Sequence, residues 1–212
     1  MILKNNSTLI FLGDSVTDCG RSPDGELNLG SGYVNLFSSM FRIAYPEAGV
    51  RFINQGVSGD QTRQVLARLE RDVLSIHPDV VTLLIGVNDV WRFFDRPFAY
   101  QGVPAEEYRD NLKKIIEPIL AGGAKMLVMT PYMIDRSPYE PMRTKMLEYA
   151  AICKDTAQTY GVEVLELQPV FENLLAKGIT SYELSGDRIH PSQKGHFAIT
   201  MALMEHLRPE TD

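Results

Sequence analysis

The chain has 212 residues, 44% of them hydrophobic and 23% charged, which suits one globular domain with a sizeable core and argues against disorder. Its 21 basic and 27 acidic residues leave a net charge of −6, which gives no reason to expect nucleic acid or a membrane as partner. No stretch resembles a signal peptide or the ~18 apolar residues of a membrane span. We therefore expect a soluble, cytoplasmic protein with one domain over residues 1–212.

Five apolar segments predict β-strands, at residues 8–12, 50–54, 79–85, 125–130 and 162–166. The run Val-Val-Thr-Leu-Leu-Ile at 80–85 is typical of a strand that is buried on both faces of a parallel sheet. Segments with helical periodicity lie between or after the strands, at residues 61–76, 104–121, 141–159 and 191–207. This alternation predicts an α/β fold, a three-layer α/β/α sandwich of flavodoxin-like topology with about five parallel strands.

The functional site of such a sheet is expected in the loops that follow the strands, because ligands bind outside the carboxyl ends of parallel strands. A polar loop follows each of the first three predicted strands, and a fourth polar segment precedes the last helix. These four segments are Gly13–Asp18, Asn54–Asp60, Gly86–Asp89 and Asp187–His190.

Three residues in these segments have the side chains of a nucleophile–base–orienter triad. Ser15 would be the nucleophile, His190 the base that takes its proton, and Asp187 the group that holds the imidazole tautomer. The chain order Ser…Asp…His is one of several that reach this geometry. Serine is also a favoured N-cap residue, and Ser15 could cap a helix as well.

Together the four segments resemble the SGNH branch of the GDSL esterase/lipase family, which is named for four separated residues. Here these are Ser15 in Gly-Asp-Ser, Gly59 in Gly-Val-Ser-Gly, Asn88 in Gly-Val-Asn-Asp and His190 in Asp-x-x-His. The first block reads Gly-Asp-Ser-Val rather than Gly-Asp-Ser-Leu. The longer runs 13–21 and 86–92 look most like intracellular acetyl-xylan and other carbohydrate acetyl-esterases.

The resemblance implies ester hydrolysis through an acyl-enzyme, with no metal and no organic cofactor. It also implies an oxyanion hole made of the N–H groups of Ser15 and Gly59 and the side-chain amide of Asn88. Gly59 and Asn88 also suit ordinary turns, with Asp60 as the cap of the next helix. The preferred substrate is a small acyl ester, acetyl above all, on a saccharide; lysophospholipase, thioesterase and arylesterase activities of the same family stay open.

An aromatic, arginine-bearing stretch begins three residues after Asn88 and extends over residues 91–103. Because sugars stack on aromatic faces, Trp91 and Arg92 are candidate substrate-binding residues. Aromatic residues and arginine are also enriched at protein interfaces, so this stretch predicts a homo-oligomer. The resemblance to the acetyl-esterases implies the same. Packing of a long connection against the domain is the third interpretation of this stretch.

Two other classes of function remain. The loop Gly13–Thr17 could cradle a phosphate in a non-catalytic, flavodoxin-like phosphate- or nucleotide-binding module. That module would leave Asp187 and His190 without a role, and the chain lacks a Gly-rich Lys-Ser/Thr phosphate loop. A catalytically silent domain of the same fold is the second possibility.

The remaining ionisable residues of interest fit structural roles. His77, His196 and His206 have no partner at ligand spacing, so no metal site is expected. Three aspartates of the polar loops are expected to brace those loops through hydrogen bonds to backbone N–H groups, namely Asp14, Asp18 and Asp89.

Overall fold

The computed structural model describes residues 1–22, 28–95, 101–137 and 139–210. The strands of its central sheet are β2 (Thr8–Gly13), β3 (Arg51–Gly56), β4 (Val80–Leu84), β5 (Lys125–Met129) and β6 (Glu163–Leu165). All pairs in this sheet are parallel, in the order β3-β2-β4-β5-β6. The five predicted strands are confirmed, with ends that differ by two residues at most. A parallel pair that was not predicted, β1 (Ile2–Leu3) and β7 (Arg208–Pro209), joins the two ends of the chain.

Helices connect and cover the strands. In chain order they are α1 (Ser15–Asp18), α2 (Tyr33–Ala44), α3 (Thr62–Asp72), α4 (Val87–Trp91), α5 (Ala105–Ala121), α6 (Pro141–Thr159), α7 (Leu167–Ala176), α8 (Ser181–Leu184) and α9 (Gln193–His206). Short 3₁₀ turns lie at Pro46–Ala48 and Leu74–Ile76. The four predicted helices correspond to α3 with its 3₁₀ extension, α5, α6 and α9. None of the helices in the described ranges is long and apolar enough to cross a membrane.

The predicted start of the last helix is wrong by two residues. Pro191 forms an isolated β-bridge with Ser185 instead of occupying the first turn. Ser192 then caps α9, because its hydroxyl accepts a hydrogen bond from the Gly195 N–H at 3.4 Å. The bridge between Ser185 and Pro191 thus flanks the turn that carries Asp187 and His190, and α9 begins only after it.

The hydrophobic core lies on both faces of the sheet. Along β2, Ile10 and Leu12 pack on the face covered by α3, α5 and α6, whereas Leu9 and Phe11 pack on the face covered by α2, α7 and α9. Side chains of a strand alternate between faces, so a strand buried on both sides reads as a continuous apolar run. The three-layer α/β/α sandwich is confirmed.

The order of the strands determines where loops converge. The chain runs from β2 outward to β3, and then returns to place β4 on the opposite side of β2. Among the five central strands this is the 2-1-3-4-5 order of flavodoxin-like sheets, whose ligand crevice opens where the order reverses. Ser15 follows β2 and Asn88 follows β4, so both residues lie at that crevice.

Candidate active site

Ser15 is the first residue of α1, directly after the carboxyl end of β2. The N-cap of this helix is Asp14, whose Oδ1 accepts a hydrogen bond from the Val16 N–H at 2.9 Å. The interpretation of Ser15 as an N-cap is therefore wrong. Because Asp14 caps the helix, the Ser15 hydroxyl is not needed as its cap. Ser15 Oγ instead lies 2.9 Å from His190 Nε2.

The other nitrogen of the His190 ring, Nδ1, lies 2.6 Å from Asp187 Oδ2. Partial burial raises the pKa of Asp187, but hydrogen bonds from the His190 ring and from the N–H groups of Ile189 and His190 lower it to about 2. The carboxylate is thus ionised at neutral pH and accepts a hydrogen bond from the Nδ1–H group of the ring. Nε2 of the neutral ring is then the acceptor for the Ser15 hydroxyl.

The three predicted triad residues therefore meet in one chain of hydrogen bonds, although Ser15 is 175 residues from His190 in the sequence. The His190 and Asp187 side chains are 41% and 49% exposed, so the chain of hydrogen bonds lies at the surface of the crevice. A substrate can reach the Ser15–His190 pair without a large opening of the fold.

Gly59 lies in the loop after β3 and has a φ of +87°. Side chains other than glycine rarely adopt this left-handed conformation, and a Cβ atom here would meet no neighbouring atom within 4 Å. The requirement for glycine is therefore one of backbone conformation and not of space. The proposed cap Asp60 is wrong: Gln61 caps α3 in a reciprocal pair with Gln64.

Asn88 lies in α4 and is buried. Its side-chain Nδ2 donates a hydrogen bond to the Asp60 carbonyl at 3.0 Å, and Gln61 Nε2 donates to the Asn88 carbonyl at 3.3 Å. The loops after β3 and β4 are thereby joined. The amide nitrogen of Asn88 carries a second proton, which an acceptor in the crevice could receive.

A buried arginine that sequence analysis missed joins the end of β2 to the loop after β3. Arg68 donates from Nη2 to the Gly13 carbonyl at 3.0 Å and from Nε to Asp60 Oδ2 at 2.7 Å. Its Nη1 also donates to Asp72 at 2.8 Å. The one sign of this arginine in the sequence is its four-residue spacing from Asp72, beside the apolar face of α3, which is typical of an ion pair on a helix.

The three aspartates expected to brace the polar loops do so. Asp18 Oδ2 accepts from the Ser58 hydroxyl at 2.6 Å and from its N–H at 3.2 Å, which attaches the Gly59 loop to α1. Asp89 Oδ1 accepts from the Thr62 N–H at 3.1 Å and from its hydroxyl at 2.5 Å. Asp14 braces α1 as described above.

Two of these carboxyl groups, those of Asp14 and Asp89, are fully buried. Burial, together with the charges of Asp89 and Asp60, raises the pKa of Asp14 to about 7 against the hydrogen bond from Val16. Its Oδ2 is buried and has no hydrogen-bond partner among the described residues. Burial likewise raises the pKa of Asp89 to about 6, although the Thr62 hydrogen bonds oppose the shift.

Trp91 borders the hydrogen-bonded chain, because its ring packs edge-on against the His190 ring with 5.7 Å between centroids. The Arg92 guanidinium lies 5.4 Å from the centroid of the Trp91 ring and pairs with Asp95 at 2.5 Å. Phe93 packs against the core and close to Gly102, as the packing interpretation predicts. Residues 96–100 of the stretch lie outside the described residues.

The other histidines lie apart from this chain of hydrogen bonds. His196 is buried in α9, where its Nδ1 accepts from the Tyr33 N–H at 3.1 Å and burial lowers its pKa to about 4. His206 bonds Glu163 at 2.9 Å, and His77 is exposed. Within the described ranges no group of three or more His, Cys, Asp or Glu side chains is placed to hold a metal ion.

The similarity of the chain to known proteins shows its family and its class of enzyme. A family model described as GDSL-like lipase/acylhydrolase matches residues 11–198. The chain belongs to this GDSL family. It is a carboxylic ester hydrolase, which excludes the interpretations as a non-catalytic phosphate-binding module and as a silent domain.

Its relatives include esterases of acetate esters. The chain is 36% identical over 215 residues to an acetylxylan esterase from Geobacillus stearothermophilus, covering 98% of this chain and 96% of the relative. It is 29% identical over 175 residues to the isoamyl acetate-hydrolyzing esterase 1 homolog of Homo sapiens, covering 74% and 66%. The crystal structure of an acetylxylan esterase from Geobacillus stearothermophilus superposes with a TM-score of 0.92 at 35% identity, over 97% of this chain and 95% of the other. Variants of that enzyme in which a serine, a histidine or an aspartate is replaced by alanine are described as catalytic mutants.

The raised pKa of Asp14 predicts a pH dependence of stability. Between the unfolded value of 3.8 and the folded value of about 7, the folded protein holds a proton that the unfolded chain releases. The free energy of unfolding must therefore fall as pH rises through this window and level off above it. Asp14→Asn removes this titration and keeps an oxygen that can cap Val16, so wild type should lose stability relative to the variant from pH 5 to pH 8.

Denaturant unfolding of both proteins at pH 5 and pH 8 measures this change, and Asp155→Asn, on the exposed surface, is the control. A difference between wild type and Asp14→Asn that stays constant between the two pH values would contradict a proton bound to Asp14.

Proposed function

We propose that this chain is a serine esterase that removes small acyl groups, above all acetyl, from saccharides. The observation that carries the proposal is the chain of hydrogen bonds from Ser15 Oγ through the His190 ring to Asp187, with distances of 2.9 and 2.6 Å. Each contact matches a role that acyl transfer requires. The Ser15 hydroxyl faces Nε2 of His190, the base that takes its proton, and Nδ1–H of the same ring faces the ionised carboxylate of Asp187.

Hydrolysis proceeds in two steps. His190 Nε2 takes the hydroxyl proton as Ser15 Oγ attacks the ester carbonyl carbon, and Asp187 stabilises the imidazolium that forms. Collapse of the tetrahedral intermediate breaks the bond to the alcohol oxygen, which receives the proton from Nε2, and leaves the acyl group on Ser15. Water, deprotonated by the same nitrogen, then attacks the acyl carbon. The bond from that carbon to Ser15 Oγ breaks, Oγ receives the proton from Nε2, and the carboxylic acid is released.

The oxyanion of each tetrahedral intermediate would be held by the N–H groups of Ser15 and Gly59 and by the second Nδ2 proton of Asn88. Support comes from the bonds that join the three loops before substrate arrives, through Arg68, Asp18 and the Asn88–Asp60 contact. Donors that are fixed in advance need no reorganisation when charge develops, which makes them effective in catalysis.

The acetyl preference is supported by the two curated relatives, both of which have names that refer to acetate esters. Trp91 lies against the His190 ring and would form a wall beside the acyl or sugar group. Arg92, whose guanidinium lies over the Trp91 ring, would act next to it. Longer acyl chains, as in lysophospholipases or thioesterases, and aryl esters are the alternatives within the family.

We further propose a homo-oligomer. Exposed apolar side chains occur on α2 and α9, which pack against each other: Ile43 is 83% exposed, Phe197 47% and Met201 55%. Such side chains suit an interface with a second copy.

Light scattering should give a mass well above the 23.8 kDa of one chain, and a strictly monomeric mass would contradict this part of the proposal. A cytoplasmic location remains an expectation from the sequence.

Ser15→Ala removes the nucleophile and is expected to abolish nearly all turnover while the protein folds normally, because the remaining groups cannot form an acyl-enzyme. Hydrolysis of a p-nitrophenyl ester series, from acetate to longer acyl chains, measures both the serine dependence and the acyl preference. Serine-dependent turnover that is best on acetate supports the proposal. A preference for longer chains would redirect the substrate to lipids or thioesters, and wild-type turnover by the variant would refute the nucleophile.

Asn88→Ala is expected to lower kcat by roughly 10²–10³ if the amide donates to the oxyanion. Asn35→Ala, an exposed truncation on α2, is the matched control and should leave kcat unchanged. Thermal melting of both variants separates lost catalysis from lost folding, because Asn88 also bonds the Asp60 carbonyl. An unchanged kcat in a folded Asn88→Ala protein would remove Asn88 from the oxyanion hole.

A further inference from the structure

The turn that carries Asp187 and His190 contains a residue in an unfavourable backbone conformation. Arg188 has a φ of +71°, in the left-handed region that residues other than glycine rarely adopt. Such residues persist only where the surrounding structure holds them, and they cluster at functional sites. The contacts of Arg188 therefore show what holds the turn.

The side chain of Arg188 is bound by two carboxylates. Its Nη1 donates to Asp135 Oδ2 at 2.8 Å and to Glu140 Oε2 at 3.2 Å. Both partners belong to the connection between β5 and α6, and Glu140 also caps α6 by accepting from the Met142 N–H at 3.4 Å. The guanidinium thus attaches the turn to a segment that is itself fixed to a long helix.

The same connection also binds the backbone of the turn. The Ile134 N–H donates to the Arg188 carbonyl at 2.9 Å, and the Tyr132 hydroxyl donates to the Ile189 carbonyl at 3.2 Å. On the other side of the turn, Asp187 Oδ1 accepts from the N–H groups of Ile189 and His190 at 2.9 and 2.8 Å. These last two bonds connect Asp187 to the residues that follow Arg188.

We propose that Arg188 is a positioning residue of the esterase: its ion pairs with Asp135 and Glu140 hold the left-handed turn that aligns Asp187 with the His190 ring. The inference rests on the proposed function of Ser15 and His190. A glycine would accept the same φ without strain, but it would keep only the backbone bonds to the β5–α6 connection and would lose the side-chain attachment to Asp135 and Glu140. Arginine tolerates the strain and supplies that attachment.

The proposal predicts that loss of the ion pairs slows chemistry without weakening substrate binding. Arg188→Gln and Arg188→Gly should each lower kcat by roughly 10-fold to 10²-fold, the range for a misplaced catalytic group, with KM almost unchanged. Arg188→Lys keeps a cation within reach of both carboxylates and should recover most of kcat. Arg136→Gln, an exposed arginine on the same connection, is the matched control and should behave as wild type.

Removal of the partners should have the same effect as removal of the arginine. Asp135→Asn combined with Glu140→Gln leaves Arg188 in place, and it should lower kcat as Arg188→Gln does. When all three substitutions are combined, kcat should fall no further, because residues that act through one interaction are not additive. Losses that multiply would show that Arg188 and the two carboxylates act separately, which would overturn the proposal.

The variants are made in the 212-residue chain and assayed on p-nitrophenyl acetate and on an acetylated xylo-oligosaccharide at 25 °C, below their melting temperatures. A wild-type kcat in Arg188→Gln with only a lower melting temperature would overturn the proposal, since Arg188 would then serve stability alone. A raised KM on the oligosaccharide alone would also overturn it, by making Arg188 a substrate contact. Ser15→Ala, in the same assay, reports separately on the proposed function: if it keeps turnover, the esterase mechanism itself is wrong.

Discussion

The carboxylate of Asp187 receives hydrogen bonds from the Ser185 hydroxyl, from the N–H groups of Ile189 and His190, and from the His190 ring. These bonds keep the carboxylate ionised, and they fix both the tautomer and the direction of the ring. The 2.9 Å contact between His190 Nε2 and the Ser15 hydroxyl depends on that direction. The chemistry proposed for the crevice therefore depends on one tight turn near the end of the chain.

The sheet explains how a turn so late in the sequence meets a serine so early. Reversal of strand order beside β2 opens a crevice at the carboxyl ends of the strands, and the loops after β2, β3 and β4 all end there. Buried polar side chains then join these loops, with Arg68 between Gly13 and Asp60 as the most central of them. Such contacts connect the loops of the crevice to one another.

Sequence reasoning found the strands because segments such as Val80–Leu84 are buried on both faces and read as continuous apolar runs. It selected Ser15, Asp187 and His190 as candidates because their residue types and blocks resemble a known family, and the structure joins their side chains by hydrogen bonds. It missed α2, although Tyr33, Phe37 and Phe41 recur at four-residue spacing and are buried. The apolar face of α2 was readable from the sequence and was overlooked.

Other features could not be predicted, because they depend on residues that are distant in the sequence. Arg68 is 55 residues from Gly13, and Arg188 is 53 residues from Asp135. No local sequence pattern predicts partners that are this far apart in the chain. The left-handed conformation of Arg188 was equally hidden, since arginine gives no local signal for a positive φ.

Direct detection of the acyl-enzyme tests the central claim most directly. Wild-type protein is mixed with p-nitrophenyl acetate, quenched rapidly with acid, digested and examined by mass spectrometry, with Ser15→Ala treated in parallel. The account predicts one acetyl group on the peptide that contains Ser15, absent from the variant. Acetylation at another residue, or equal labelling of the variant, would contradict it.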